Sequence, residues 1–306
     1  MENSLVIVVV YVDDILITGD DDDEISSLKG FLDDQFRIKD LGQISFFLGL
    51  EFNYVNNGMI IHQSKYIKDL LDEYYMTEYT CVTTPLPHKL RLVPVMENSL
   101  EDPIVYRQRI GKLNFLVHTR PDLSFSVQYL SQFNQTPSQA HYDVALHVLQ
   151  YLKGTFNQGL YFNKDFSYNI EAYCDSDWVA CPITRRSVSG YFILFGNSPI
   201  VWKSKKQITV SLSSAEAEYL PNITHIPLKC DNQAAIYIAS NPVFHERTKH
   251  IDIDCHFVRE KLQSGLISLS HVSTNHQLAD VLTKSLIGTK HQEATIKLGL
   301  QPYPPA

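Results

Sequence analysis

Apolar and polar positions along the start of the chain form blocks that predict two strands and a helix. The apolar run VIVVVYV is followed by Asp13 and Asp14 and then by ILIT, which predicts a β-hairpin over residues 4–18. An acidic run from Asp20 to Glu24 then precedes apolar residues spaced by three, four and four positions, the period of an amphipathic helix. These residues are Ile25, Leu28, Leu32 and Phe36.

A turn and then a series of helices are predicted in the middle of the chain. Asn57-Gly58 stands between two apolar runs, which is a strong signal for a second hairpin. Asp102-Pro103 and Thr136-Pro137 each place a capping residue before a proline, a pattern typical of helix starts. Gly154 follows an apolar, periodic run and marks a helix end. These signals predict a small helical module between two parts that contain sheets.

Strands return in the last part of the chain. The segments NIEAYCDSD, SGYFILFG and IVWKSKKQ are strand-like, and Ser213-Ser214 is placed to cap a helix that begins with AEAEY. A later helix is indicated by apolar residues in steps of four, three and four, and it ends at Ser264-Gly265. Adjacent strands followed by helices favour an α/β domain, so the predicted class of the whole chain is α/β and α+β.

Charge restricts how the chain could bind nucleic acid. The formal net charge of −8 argues against a protein that binds nucleic acid through overall basicity, so any such site must be local. Two local clusters exist, TRRS and VWKSKKQ, and the second mixes cations with an aromatic ring. The cationic residues are Arg185, Arg186, Lys203, Lys205 and Lys206. Taken alone, the second cluster favours a solvated hairpin with one half-buried tryptophan.

Cysteine usage and hydropathy indicate an intracellular protein without a membrane segment. The five cysteines are scattered and odd in number, which is typical of reduced thiols rather than a disulfide framework. The opening apolar run is far shorter than a membrane span and is closed by Asp13 and Asp14. The compartment, cytoplasmic or nuclear, stays open.

Four acids at the ends of predicted elements suggest a metal site. Asp175 ends a strand, Glu218 lies in the first turns of a helix, Asp231 follows an apolar stretch, and Asp280 lies in NHQLADVLTK. Four such carboxylates could converge on two divalent cations, and oxygen ligands suit Mg²⁺ or Mn²⁺ rather than zinc. For any one acid taken alone the ordinary role is favoured, with Asp175 and Asp231 as strand-end caps and Asp280 as a helix cap.

The motifs resemble copia-type LTR retrotransposon Pol polyproteins, in the same order and over nearly the whole chain. Among them are YVDDILITG, AYCDSDWVACPITRRSVSGYFILFG, SLSSAEAEY, CDNQAAIYIASNPVFHERTKHIDIDCHFVREKL and QLADVLTKSL. The resemblance implies a partial reverse transcriptase palm over 1–85, a helical thumb and connection over 86–165, and a ribonuclease H-like domain over 166–288. Residues 289–306 are expected to form a tail.

The resemblance also implies site residues. Asp175, Glu218, Asp231 and Asp280 match the four metal-binding acids of the family's ribonuclease H, with Glu216 as the alternative to Glu218. A flexible histidine assists in many relatives, and His271 and His276 are both candidates. Asp13 and Asp14 match the paired aspartates of the polymerase YxDD hairpin, which hold magnesium ions for nucleotidyl transfer.

Two departures from the family pattern limit these expectations. Only twelve residues precede Asp13 and none is an aspartate, so we expect no polymerase activity from this chain alone. Only twelve residues separate Glu218 from Asp231, too few for a helix, a connection and a strand, and they include Pro221 and Pro227. We interpret this as an internal deletion that would expose apolar sheet, lower stability and displace Glu218.

One further histidine-rich segment, HERTKHIDIDCHF, raises the question of zinc. The spacing of His245, His250, Cys255 and His256 matches no common zinc finger, so zinc is rejected. Arg247 and Lys249 in this segment are candidates for contact with nucleic-acid phosphates, or belong to a solvated helix face.

Three functional hypotheses follow. The first is a metal-dependent ribonuclease H that cuts the RNA strand of an RNA–DNA hybrid, in association with other Pol segments. The second is a remnant that binds the hybrid without cutting it, and the third is an unstable relic.

Overall fold

The computed structural model describes residues 4–94, 99–164, 169–181, 184–207, 226–241 and 252–303. The chain divides into two compact units, Met1–Phe52 and Asn53–Ala306. The predicted domain boundaries after residues 85, 165 and 288 stay predictions. Among the described residues, no helix is both long and apolar enough to cross a membrane.

The first unit contains the predicted hairpin and helix. Strands β1 (Val6–Tyr11) and β2 (Asp14–Gly19) pair antiparallel, with Tyr11 opposite Asp14. Helix α1 spans Asp22–Phe36, and the Asp21 side chain accepts hydrogen bonds from the first-turn backbone, as expected of an N-cap. A short strand, β3 (Phe46–Phe47), pairs with the start of β4 (Leu50–Val55).

The hairpin is less buried than its sequence suggests. The side chains of the apolar run in β1 are largely exposed, for example Val10 at 65% and the turn residue Val12 at 80%. Apolar composition alone does not reveal whether a second layer covers a strand. The hairpin therefore presents an apolar surface within its own unit.

The second unit begins with a hairpin and a helical module. Strand β5 (Gly58–His62) follows the turn at Asn57, which confirms the predicted second hairpin. A Cβ at Gly58 would lie 2.0 Å from the Phe162 carbonyl oxygen, so only glycine fits beside β6 (Gln158–Asn163). The helices of the module are α2 (Ser64–Glu73), α3 (Pro103–Leu116), α4 (Ser124–Ser131) and α5 (Gln139–Gly154).

Helix starts in this module agree with the sequence at one position and differ at another. The Asp102 side chain accepts a 2.8 Å hydrogen bond from Ile104 N at the start of α3. Helix α5 begins later than the predicted Thr136-Pro137 cap, because Ser138 and His141 form a reciprocal capping box. The helices enclose the largest apolar core of the described residues, which includes Ile67, Leu113, Leu130 and Leu149.

The last part of the chain forms a mixed sheet with helices, which confirms the predicted α/β fold. Its strands lie in the order β11-β10-β7-β8-β9, with β7, β8 and β9 antiparallel and β10 parallel to both β7 and β11. They span Ile170–Asp177 (β7), Val188–Phe195 (β8), Ser198–Lys206 (β9), Ile226–Cys230 (β10) and Ile267–His271 (β11). Helices α6 (Gln233–Ser240) and α7 (Asp252–Gln263) follow β10.

The strand before Asp231 forms despite the short spacing from Glu218. Pro227 lies in it, and pairing with β7 begins only at Leu228, whereas pairing with β11 begins at Ile226. A proline has no N–H to donate, which accounts for the delayed pairing on one side. The segment 208–225, which holds the predicted helix and Glu218, lies outside the described residues.

The expected tail contains regular structure that joins the helical module. Helix α8 (Gly288–Lys297) is followed by β12 (Leu300–Pro302), which pairs antiparallel with β6. Tyr303 is buried, and its ring stacks on His62 with centroids 3.8 Å apart. Trp202 Nε1 on β9 also donates to the Val117 carbonyl at 2.9 Å, so the mixed sheet and the helical module are packed together.

A buried ion pair stabilises the junction between α5 and α8. Arg120 and Asp122 are fully buried and form a bidentate pair with distances of 3.0 and 2.7 Å. Tyr151 donates to Asp122 at 2.7 Å, and its hydroxyl lies 2.9 Å from His291 Nε2 on α8. Burial alone would raise the pKa of Asp122, but the Arg120 guanidinium more than offsets it and the pKa is lowered.

Candidate metal centre

Three of the four predicted acids meet at one edge of the mixed sheet. Asp175 lies near the carboxyl end of β7, Asp231 follows β10 directly, and Asp280 lies in the 3₁₀ helix Leu278–Leu282. Because β7 and β10 are parallel with Lys229 opposite Tyr173, the chain carries Asp175 and Asp231 to the same end of the sheet. One carboxylate oxygen from each of the three acids lies within 4.8 Å of the other two.

A glycine allows the third acid to reach the sheet. Gly190 on β8 lies opposite Asp175, and a Cβ there would be 2.7 Å from the Cβ of Leu282. Any larger residue would push the 3₁₀ helix away from the sheet. Apolar packing of Leu282 and Phe192 in one buried cluster completes the contact. Asp280 is therefore positioned by a glycine and by apolar residues, which carry no metal-ligating group.

Hydroxyl groups and a cation orient the carboxylates. The Thr283 hydroxyl donates to Asp175 Oδ2, and the Thr274 hydroxyl donates to Asp231 Oδ2 at 3.1 Å. Lys284 Nζ lies 2.9 Å from Asp280 Oδ1 and 3.4 Å from Asp175 Oδ2. The carboxylates are therefore held in place by directed contacts as well as by the backbone.

Burial perturbs the acids. Asp175 and Asp280 are 5% and 9% exposed, whereas Asp231 is half-buried. Burial, together with the neighbouring Asp175 charge, raises the pKa of Asp280 to about 7, although Lys284 opposes the shift. Burial also raises the pKa of Asp177, which follows on the same strand. For Lys284, burial would lower the pKa, but Asp175 and Asp280 together raise it.

The donor set fits a hard divalent cation. All three groups are carboxylates, which provide oxygen ligands only. Asp280 Oδ1 is buried, and the group beside it is the Lys284 ammonium at 2.9 Å. A buried charged oxygen is stabilised by a nearby cation, and a metal ion would supply such a charge.

The other predicted acids either lie outside the described residues or lie on the exposed hairpin of the first unit. Glu218 and its alternative Glu216 lie outside the described residues. Asp13 lies in the exposed turn of the first unit, and Asp14 is the exposed first residue of β2. Within the described part of the chain, the group of metal-ligating side chains brought together is Asp175, Asp231 and Asp280.

The predicted cationic contacts divide into exposed and internal residues. Lys203 and Lys205 alternate along β9 and are exposed, as is Arg185, while Arg186 is half-buried. Lys206 turns to the opposite side, where Nζ donates to Gln132 Oε1 at 2.8 Å. Its ammonium therefore stabilises the contact between β9 and α4. Arg247 and Lys249 lie outside the described residues.

The histidine predictions stay open. His271 is exposed at the end of β11, and the His276 ring lies 2.9 Å from the Ser273 hydroxyl, so neither is distinguished as the assisting residue. His245 and His250 lie outside the described residues. Cys255 and His256 fall within α7, but their side chains are likewise not described.

Sequence reasoning missed Thr274, Thr283 and Lys284. Each comes from a polar position in a loop or 3₁₀ turn, where no periodic pattern marks a functional side chain. One signal was available, since Lys284 follows Asp280 by four residues, a spacing that brings opposite charges together on a helical turn.

Comparisons with known proteins place these observations in a family. A family model described as reverse transcriptase (RNA-dependent DNA polymerase) matches residues 1–88. The retrovirus-related Pol polyprotein from transposon RE1 of Arabidopsis thaliana is 40% identical over 99% of this chain. The chain belongs to the Pol polyproteins of copia-type retrotransposons. It spans 22% of the length of the RE1 polyprotein.

Other relatives of this Pol chain differ in size. An uncharacterized mitochondrial protein of Arabidopsis thaliana, AtMg00810, is 40% identical over 69% of the chain and 87% of its own length. Among solved structures, ribonuclease H1 from Halobacterium salinarum is 17% identical and has a TM-score of 0.31. That alignment covers 38% of this chain and 94% of the archaeal one.

Proposed function

We propose that this Pol chain is a metal-dependent ribonuclease H that cuts the RNA strand of an RNA–DNA hybrid. The observation that carries the proposal is the meeting of Asp175, Asp231 and Asp280, whose carboxylate oxygens lie within 4.8 Å of one another. The membership of the chain in the retrotransposon Pol family supports nucleic acid as the substrate class.

The three acids would hold Mg²⁺ or Mn²⁺, with Glu218 as the predicted fourth ligand. Two such cations, when bound, would activate a water molecule and stabilise the leaving oxygen of the phosphodiester. Asp175 and Asp231 are kept in orientation by the hydroxyls of Thr283 and Thr274. This arrangement preorganises the carboxylates before the substrate arrives.

The hybrid would be held by cations outside the acid cluster. Lys203 and Lys205 are exposed on the edge strand β9, and Arg185 is exposed in the connection between β7 and β8. Contacts of lysine and arginine with phosphates give affinity without sequence preference and weaken as salt increases. Lysines on an edge strand also discourage strand pairing with another chain, so binding must be tested directly.

The decisive experiment is cleavage of a labelled RNA–DNA hybrid by the purified chain with Mg²⁺ and then Mn²⁺. Asp175→Asn should abolish metal-dependent cutting, whereas Asp143→Asn, a change at an exposed acid of α5, should retain it. A folded chain that binds the hybrid without cutting it would favour the binding remnant. A chain without a cooperative unfolding transition would favour the relic.

We propose further that Asp13 and Asp14 do not support nucleotidyl transfer in this chain alone. No third metal-ligating side chain joins them in the described part of the chain. Primer extension on an RNA template should therefore yield no product under conditions in which the hybrid is cut. Extension that disappears in Asp13→Asn would contradict this.

Other Pol segments are proposed as partners of the first unit. The β1–β2 hairpin presents exposed apolar residues, including Ile7, Val10 and Val12, which suit packing against further protein. Co-expression with the reverse transcriptase part of a long relative should protect these residues from hydrogen exchange. Unchanged exchange rates would exclude the hairpin as the contact.

A further inference from the structure

Lys284 provides a fixed positive charge inside the acid cluster. Its Nζ lies 2.9 Å from Asp280 Oδ1 and 3.4 Å from Asp175 Oδ2, so one ammonium bridges two of the three acids. The two carboxylate side chains are 12% and 5% exposed, whereas the lysine side chain is 35% exposed. The lysine thus reaches from a partly solvated position into a largely buried one.

The backbone delivers this ammonium in a defined direction. The amides of Thr283 and Lys284 both donate to the Asp280 carbonyl at 3.2 Å, which closes a tight turn after the 3₁₀ helix. The same turn aims the Thr283 hydroxyl at Asp175 Oδ2. Three functional groups, a carboxylate, a hydroxyl and an ammonium, therefore enter the site from one short segment.

The contacts of Lys284 compete with those of a divalent cation. Carboxylates this close repel one another strongly at low dielectric, and an ammonium between them relieves the repulsion. A Mg²⁺ ion needs its oxygen ligands at about 2.0–2.1 Å. A divalent cation held by Asp175 and Asp280 would compete with the ammonium for these two carboxylates, because two positive charges so close together repel strongly.

We propose that Lys284 is a positioning residue that acts as a built-in counter-ion of the metal site. It keeps Asp175 and Asp280 close together before the metal binds, and it withdraws toward solvent when the metal takes their oxygens. Its partial exposure gives the side chain room for that movement. The inference rests on the proposed metal-dependent function, because it concerns the same acids.

Titration with Mn²⁺ alone tests the counter-ion role without any measurement of cleavage. Electron paramagnetic resonance of the free ion monitors the binding. Lys284→Met should bind Mn²⁺ about tenfold more tightly than the unchanged chain, because a competing charge has been removed. The metal-free variant should also melt at a lower temperature and gain more on Mn²⁺ addition. Lys284→Arg should retain the competition, and Lys290→Met, at an exposed lysine of α8, is the matched control.

The outcomes separate this role from the proposed function. Equal or weaker Mn²⁺ binding by Lys284→Met, with binding by the unchanged chain intact, would overturn the counter-ion role and leave the metal site standing. Absence of Mn²⁺ binding in the unchanged chain would overturn both. Tighter binding in Lys284→Met and in Lys290→Met alike would show a general effect of net charge and would also overturn the role.

Discussion

Replacing Asp280 by asparagine should change how stability depends on pH in the metal-free protein. Asp280 titrates at about 7 in the folded chain and near 3.8 when unfolded, so the folded state holds an extra proton between these values. The stability that this group contributes is therefore fully present below about pH 3.8 and is lost as the pH rises through about 7. An asparagine side chain has no proton to lose in this range, so the Asp280→Asn variant lacks this dependence.

The magnitude follows from the two pKa values. Their difference corresponds to a loss of about 4 kcal/mol in the free energy of unfolding once Asp280 is fully ionised. The Asp280 side chain is only 12% exposed. Between about pH 5 and pH 8, roughly 2–3 kcal/mol of this cost appears. From about pH 5 to about pH 8, the free energy of unfolding of Asp280→Asn should therefore rise by roughly 2–3 kcal/mol relative to that of the unchanged chain. This relative change does not depend on any difference in stability that the two proteins already have at pH 5.

Urea denaturation in the presence of a chelator, at about pH 5 and about pH 8, measures the effect. The comparison of the two proteins at each pH removes contributions from all other titrating groups. Asp143→Asn, at an exposed acid of α5, is the matched control for the loss of one carboxylate. A difference for Asp280→Asn that stays constant, or that falls with pH, would refute the assignment of the raised pKa to this carboxylate.

The remaining predictions concern the ion pair, the cations of the edge strand and the last strand. Asp122→Ala should lower the free energy of unfolding by about 3–5 kcal/mol in urea titrations, because it leaves the buried Arg120 charge unpaired. Lys203→Gln should weaken hybrid binding and reduce its salt slope by about one, measured by fluorescence anisotropy, whereas Lys206→Gln should mainly lower stability. Deletion of residues 298–306 should expose the edge of β6 and lower the melting temperature measured by circular dichroism.

Controls distinguish these effects from general damage. Glu73→Ala removes the exposed partner of Lys112 and should cost about 0–1 kcal/mol, so an equal loss in Asp122→Ala would contradict the importance of burial. Equal loss of hybrid binding in Lys203→Gln and Lys206→Gln would contradict the assignment of Lys203 to binding and of Lys206 to internal packing. An unchanged melting temperature after the deletion would show that the β6–β12 pairing contributes little.

Local signals in the sequence predicted much of the fold. The Asn57-Gly58 turn, the Asp102 cap and the apolar period of α1 each depend on residues close together in the chain, and each is confirmed. The positions of Asp175 and Asp231 at strand ends could also be predicted from the sequence, because a strand pattern that stops at an acid is a local feature. Their convergence with a third acid required the family resemblance.

Long-range packing explains what sequence could not supply. The apolar sequence of β1 does not show whether another layer covers the strand, and in the structure its side chains are largely exposed. Lys206 and Lys203 look alike in sequence, yet strand alternation turns one toward Gln132 and leaves the other in solvent. The pairing of β12 with β6 joins residues far apart in the chain, and no local pattern encodes such a partnership.

The β6–β12 pairing constrains the order in which the chain can fold during its synthesis. Leu160 and Leu300 are opposite each other in one sheet, so the whole mixed sheet lies within a single closed loop in the topology of that pairing. Closing a loop of this length carries an entropic cost that early local contacts cannot repay, and such long-range pairing is slow. During synthesis, the edge of β6 that pairs with β12 therefore stays unpaired until the strands of the mixed sheet have been translated and β12 has left the ribosome.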